Sequence, residues 1–348
     1  MATVGRRRRR RRGPAPILLL AAGAWLLWKG SPAPEPRPAS WAAELPIRQY
    51  ELGEQADLSG PLEEAPQTQA AADVSEAALP QGGAPAAANI AAISIDGSGG
   101  AYDGSGAVYI KNETDYSIDI PALLNQKTEI AISSKETAVL IVHTHGSEAY
   151  TPDAANWYEP TDTDRTTDTN YNVVRVGAQI EKILNEKGIK TIHATVLNDS
   201  PSYNGAYNRT LEVISQAMKE NPSIKFVIDV HRDAMVTASG KKYKTVAQIN
   251  GRQAAQLMLV AGTDAGGLTH DHWRENLAFM TKVQQKMNTI YPGIMRPINI
   301  RAARFNEHVT TGSMLLEVGT SGNSLDEALY SASLFADTLG DMLLELQK

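Results

Sequence analysis

From Thr137 onward, short continuous apolar runs alternate with segments whose apolar residues recur at helical spacing. The first run, residues 139–142 (VLIV), is typical of a strand buried on both faces. A helix pattern then begins near Asn172 and ends at Gly188. Further strands are predicted at 190–196, 225–230, 256–261 and 314–318, and further helices at 208–220, 273–287 and 325–346. This order predicts an α/β fold with a mostly parallel sheet flanked by helices on both faces.

The N-terminal third of the chain has a different character. Residues 1–30 join seven consecutive arginines to an apolar run, which predicts a basic segment plus an uncleaved transmembrane signal-anchor. The positive-inside rule keeps the arginines in the cytoplasm, so we expect a single-pass protein of the cell membrane whose folded domain is extracytoplasmic. Residues 31–106, rich in Pro, Ala and Gly, predict a disordered spacer. Residues 107–136 are expected to form a short ordered lead-in, and 137–348 the main domain.

Charge and cysteine content exclude two kinds of chemistry. The net charge is −6, and without the seven arginines the rest of the chain carries −13, so nucleic acid is not an expected partner. The chain has no cysteine, so disulfides and cysteine nucleophiles are excluded. Any metal ion must therefore be held by histidine and carboxylate side chains.

Three predicted strands end in residues that can bind a metal or move a proton. The first runs into His145, the second into His231, and the last carries Glu317. The carboxyl ends of neighbouring strands in such sheets form the usual ligand site. Imidazole and carboxylate groups suit Zn²⁺, which in hydrolytic sites takes three protein ligands and leaves one position for water. We therefore predict His145 and His231 as zinc ligands and Glu317 as the catalytic acid and base.

The third zinc ligand has two candidates. Glu148 lies three residues after His145, so a turn can bring both side chains to one ion. Asp168 is the alternative, although its position just before the helix near Asn172 also suits a role at the helix N-terminus. The sequence leaves both candidates open.

Other polar residues are predicted to contact substrate or to support the fold. In the loop before the helix at 208–220, Tyr203 and Asn204 either bind substrate or serve as ordinary turn residues. Arg232, next to the second zinc ligand, and His308 are further candidates for substrate binding. His193 lies within a predicted strand and is expected to be structural, whereas His270 and His272 lie in a Gly- and Asp-rich loop and are not expected to be metal ligands.

Five segments of residues 137–348, taken in their order along the chain, resemble the stage II sporulation protein P family of cell-wall amidases. They are 142–150 (VHTHGSEAY), 172–177 (NVVRVG), 202–209 (SYNGAYNR), 229–234 (DVHRDA) and 315–323 (LLEVGTSGN). The resemblance implies a zinc amidase-like catalytic domain, with His145 and His231 as ligands and Glu317 as the acid and base. In ordinary amidases of this group a glutamate that introduces the first helix is the middle ligand, and this sequence has none there.

The resemblance also implies an activity and its partners. The implied reaction is hydrolysis of the amide bond between muramic acid and the stem peptide of peptidoglycan, with stem-peptide endopeptidase activity besides. It would serve septal wall removal and engulfment during sporulation, together with the lytic transglycosylase stage II sporulation protein D and other engulfment proteins. The alternatives are a zinc metallopeptidase or carboxypeptidase that acts only within wall peptides, and a non-catalytic wall-binding protein of the divisome.

Overall fold

The computed structural model describes residues 90–98, 100, 102–159, 164–237 and 240–348. Its strands are β1 (Ile90–Ile93), β2 (Asp103–Ser105), β3 (Val108–Asn112), β4 (Val139–Val142), β5 (Thr191–His193), β6 (Phe226–Asp233), β7 (Lys242–Ile249), β8 (Arg252–Ala255), β9 (Leu257–Gly262), β10 (Ile298–Arg301) and β11 (Gly312–Thr320). The helices are α1 (Ile120–Asn125), α2 (Val173–Glu186), α3 (Ala206–Glu220), α4 (Trp273–Ile290) and α5 (Leu325–Leu344), with a short 3₁₀ helix at Glu307–Val309.

The larger sheet is mixed, so the prediction of a mostly parallel sheet is corrected. Its strand order is β2-β3-β10-β9-β11-β6-β4-β5. The four strands from β5 to β11 are mutually parallel, whereas β9 runs antiparallel to β11 and is followed by β10 and β3 in its own direction. The reversal arises because the chain enters β9 directly after the β7–β8 hairpin, without a crossover helix.

Helices cover both faces of this sheet, as predicted. Successive residues of a strand point to opposite faces, so a strand of apolar residues presents side chains for helices to cover on both. On β4, Val139 and Ile141 pack in the large core that includes α2, α4 and α5. The alternate residues Leu140 and Val142 pack on the other face against Ile214 and neighbouring residues of α3. The helix predicted from Asn172 is α2, whose N-cap is the Asn172 side chain, which accepts from the Val174 amide.

Two strands fall within the range predicted as a spacer. Strand β1 pairs in parallel with β7 in a second sheet of order β1-β7-β8, and β2 pairs with β3 in the large sheet. Ordered structure therefore begins before Ala107, which corrects the spacer boundary at 106. The predicted anchor at 1–30, and the spacer up to residue 89, lie outside the described residues. Among the helices that are described, none is long and apolar enough to cross a membrane.

Candidate active site

The carboxyl ends of β4, β6 and β11 meet at one edge of the sheet. His231 on β6 and Glu317 on β11 are direct neighbours in the parallel register, so their side chains lie on the same face. His145 lies just beyond β4, and its ring is edge-on to that of His231 with 5.4 Å between the centroids. The structure thus brings together the three residues that the strand ends predicted.

Glu148 joins this group. Its Oε2 lies 3.4 Å from His231 Nδ1, and its carboxylate also accepts from the Arg232 amide at 3.2 Å and pairs with Arg165 at 3.3 Å. Burial alone would raise the pKa of Glu148, but the neighbouring His231 and the charge of Arg232 outweigh it and lower the pKa to about 2. Glu148 is therefore a fixed anion beside His231.

Asp168, the other candidate for the third ligand, lies elsewhere. Its side chain is exposed, and its Oδ1 accepts from the backbone and side-chain N–H groups of Asn170. These are the contacts of a surface Asx turn, and they do not bring the carboxylate to either histidine.

Asp229 is a site residue that the sequence prediction missed. Its Oδ1 lies 2.9 Å from His231 Nε2, a short contact that is poorly aligned for a hydrogen bond, and it accepts from the Thr144 amide at 2.8 Å. Burial lowers the pKa of His231, but Asp229 and Glu148 raise it more, so the net shift is upward. The sequence does contain one sign that Asp229 belongs to the site. Asp229 precedes His231 by two residues on β6, so both side chains lie on the same face of the sheet.

Glu317 differs from Glu148 in its surroundings. The side chain is partly exposed, yet its Oε2 is buried and has no hydrogen-bond partner among the described residues. Burial, followed by the negative charge of Asp233, raises the pKa of Glu317 to about 8. A carboxyl group that holds its proton near neutral pH can both take up and release one there.

The predicted substrate-binding residues have different positions. Tyr203 lies at the site and stacks on the His145 ring. Asn204 lies exposed in the same loop, and its backbone carbonyl accepts from Arg209. His308 has its ring 6.4 Å from that of His270.

Arg232 is buried and faces the protein. Its guanidinium donates to the backbone carbonyls of Ala149, at 2.8 Å, and Asp164, at 3.0 Å. The side chain therefore secures the segment that carries Glu148, and a contact between Arg232 and substrate stays a prediction.

Histidines His143 and His193 form a separate pair. Their Nε2 atoms lie 2.7 Å apart, and His143 Nδ1 lies 2.9 Å from the Val230 carbonyl oxygen. Burial, reinforced by His193, lowers the pKa of His143 to about 3, so this ring is a neutral structural group. Within the part of the chain that the structure describes, no group of three or more His, Asp or Glu side chains stands out as an assembled metal site.

Comparison with known proteins gives a family and several structural similarities. The family model described as stage II sporulation protein P matches residues 50–340. Stage II sporulation protein P of Bacillus subtilis (strain 168) is 27% identical over 221 residues, which are 60% of this chain and 52% of the relative. The chain thus matches about half the length of that curated relative.

Among solved structures, the N-acetylmuramoyl-L-alanine amidase AmiC2 of Nostoc punctiforme is 13% identical with a TM-score of 0.34, covering 61% of this chain and 97% of that one. The catalytic domain of the amidase CwlV from Bacillus (Paenibacillus) polymyxa var. colistinus is 12% identical with a TM-score of 0.35, and the match covers 60% of this chain and 98% of that one.

Proposed function

The chain belongs to the stage II sporulation protein P family, and from this membership and the site we propose that it is a zinc-dependent N-acetylmuramoyl-L-alanine amidase. The proposed substrate is peptidoglycan, cleaved between muramic acid and the stem peptide, with stem-peptide endopeptidase activity at the same site. The proposed setting is septal wall removal and engulfment during sporulation. The observation that carries the proposal is the convergence of His145, His231, Glu148 and Glu317 at one sheet edge.

The donor set fits a zinc ion. Two ligand atoms of a tetrahedral zinc site, each about 2.1 Å from the metal, lie roughly 3.4 Å apart. The distance from His231 Nδ1 to Glu148 Oε2 is 3.4 Å, longer than the roughly 2.7–2.9 Å typical of a charged N–H to carboxylate hydrogen bond. His145 Nδ1 is buried and has no hydrogen-bond partner among the described residues, as expected of a nitrogen that binds a metal. We therefore assign His145, His231 and Glu148 as the ligands.

The position of Glu148 in the fold supports this assignment. Its carbonyl oxygen accepts from the Val173 amide, at the first residue of α2. The turn after β4 thereby carries a glutamate to the start of the first helix of the catalytic domain, the place where ordinary amidases of this group have theirs. The side chain comes from the turn instead of the helix.

Asp229 is proposed to orient His231 as a ligand, because a carboxylate beside the second ring nitrogen fixes the tautomer of a metal-binding imidazole. Asp229→Asn is expected to weaken zinc binding about 10- to 100-fold with the fold retained. Competition titration with a chromophoric chelator measures the change. Asp168→Asn is the matched control, and its zinc affinity should equal that of the parent. Unchanged affinity in Asp229→Asn would contradict the orienting role.

The reaction requires a nucleophile and a proton carrier. A bound zinc ion would act as a Lewis acid that makes water nucleophilic near neutral pH. The Glu317 carboxylate takes a proton from the attacking water as its oxygen bonds to the lactyl carbonyl carbon of muramic acid. The carbon–nitrogen bond to the stem peptide then breaks, and Glu317 returns the proton to the leaving amine. Its raised pKa makes the carboxylate a stronger base for the first step.

Product analysis tests the proposed activity. The full chain, purified in detergent, is incubated with zinc and purified peptidoglycan, and the products are analysed by mass spectrometry. We expect stem peptides with a free N-terminal amine and glycan strands with free lactyl carboxyl groups. Cleavage only within the peptides would support the metallopeptidase alternative instead, and no soluble product would support a non-catalytic wall-binding protein.

Location and partners complete the proposal. The basic and apolar segments of residues 1–30 support a single membrane anchor with the catalytic domain outside the cytoplasm. The acidic remainder of the chain gives no support to nucleic acid as a partner. Family membership supports cooperation with stage II sporulation protein D, the lytic transglycosylase, because a glycan strand stripped of peptides and a cut glycan strand are complementary products.

A further inference from the structure

His145 differs from the other two proposed zinc ligands in how it is held. Glu148 accepts hydrogen bonds from Arg165 and Arg232, and His231 lies against Asp229. His145 forms no side-chain hydrogen bond with any described residue. Metal-binding imidazoles are usually oriented by a hydrogen bond from the second ring nitrogen. A different kind of contact must orient this one.

Aromatic rings surround the His145 imidazole. Tyr203 stacks on its face, with 4.2 Å between the ring centroids and an interplanar angle of 2°. Tyr207 meets it edge-on at 5.6 Å and 88°, and His231 does so at 5.4 Å and 84°. Stacked and edge-on arrangements are both favourable for aromatic pairs, and together they restrict rotation of the imidazole about its side-chain bonds.

The Tyr203 ring is itself held in place. Arg209 on α3 donates to three carbonyl oxygens of the loop, those of Asn198 at 2.6 Å, Asn204 at 3.1 Å and Ser202. The Arg165 guanidinium lies 5.1 Å from the Tyr203 ring centroid and also pairs with Glu148. Tyr203 is nevertheless 54% exposed, an unusual position for an aromatic ring that only fills space.

We propose that Tyr203 is a positioning residue that orients the His145 imidazole for metal binding and shields it from solvent, in place of a hydrogen bond. The inference rests on the proposed zinc site. The stacked ring fixes one ligand, and the Arg165 contact links it to a second ligand, Glu148. The phenol hydroxyl takes no part in this role, because stacking requires only the ring.

Zinc affinity and zinc exchange test the inference in the full chain. Tyr203→Leu is expected to raise the zinc Kd roughly 3- to 10-fold and to speed zinc loss to excess EDTA by a similar factor. Tyr203→Phe should keep the zinc Kd and the rate of zinc loss within about twofold of the parent. Arg209→Gln, which frees the loop from α3 without altering His145, should shift the Kd in the direction of the Leu variant. Trp157→Leu, at a comparably exposed aromatic (44%), should leave it unchanged.

The outcomes separate the inference from the proposed function. If the parent binds no zinc, the proposed function fails. If the parent binds zinc and Tyr203→Leu holds it with the same Kd and exchange rate, the positioning role is overturned and the zinc site stands. Equal weakening by Tyr203→Phe and Tyr203→Leu would also overturn it, because the hydroxyl would then be responsible. Thermal unfolding without zinc should be the same for the parent and the Leu and Phe variants, which excludes a general loss of structure.

Discussion

Glu317→Gln is expected to lower the turnover number on peptidoglycan roughly 100- to 10,000-fold while the protein keeps its zinc. Glutamine has nearly the same size as glutamate but cannot carry a proton from the attacking water to the leaving amine. The buried Oε2 of Glu317 has no hydrogen-bond partner among the described residues, and burial raises its pKa to about 8. Rates of stem-peptide release, measured beside the zinc content of the same sample, give the result.

The matched control for this variant is Glu212→Gln, an exposed glutamate on α3. It makes the same chemical change away from the site and should keep the parent rate. A Glu317→Gln protein with parent-like turnover would exclude Glu317 as the proton carrier. A variant that loses zinc as well as rate would instead indicate that Glu317 is a ligand.

His231→Ala is expected to weaken zinc binding more than about 100-fold and to abolish stem-peptide release. The ring lies between Asp229 and Glu148, which are 2.9 Å and 3.4 Å from its two nitrogens. Its removal takes away a ligand and leaves two buried carboxylates without the group between them, so the variant should also be less stable. Elemental analysis of the purified protein measures zinc per chain, and calorimetry measures the melting temperature.

His272→Ala is the control for His231→Ala, because this partly buried histidine is the N-cap residue of α4 and is not one of the proposed zinc ligands. It should retain zinc and activity. A His231→Ala protein that binds zinc as tightly as the parent would remove His231 from the ligand set and with it the proposed site.

The strand ends could be predicted from sequence because buried parallel strands read as continuous apolar runs. The position of the site at the ends of β4, β6 and β11 followed from that pattern alone. The direction of β9 could not be predicted, since an apolar run gives no sign of which way a strand runs. Strand β7 was missed because it is only partly buried, with lysines among its apolar residues.

Side-chain roles were harder to predict than strand positions. Arg232 follows a proposed ligand in the chain, but on a strand the next residue points to the opposite face, and there it binds the backbone around Glu148. The same alternation of side chains along β6 places Asp229 on the face of His231, so the sequence could have indicated it as a site residue. The stacking of Tyr203 on His145 joins two loops 58 residues apart in sequence, and no local pattern encodes such a contact.

A zinc-edge anomalous diffraction map of zinc-loaded crystals would locate the metal ion. The proposed ligand set predicts one strong peak at the carboxyl edge of β4 and β6, about 2.0–2.2 Å from a nitrogen of His145, a nitrogen of His231 and Oε2 of Glu148. Glu317 should lie close by without coordinating the ion. A peak coordinated by Asp168 in place of Glu148, or the lack of any peak at this edge, would contradict it.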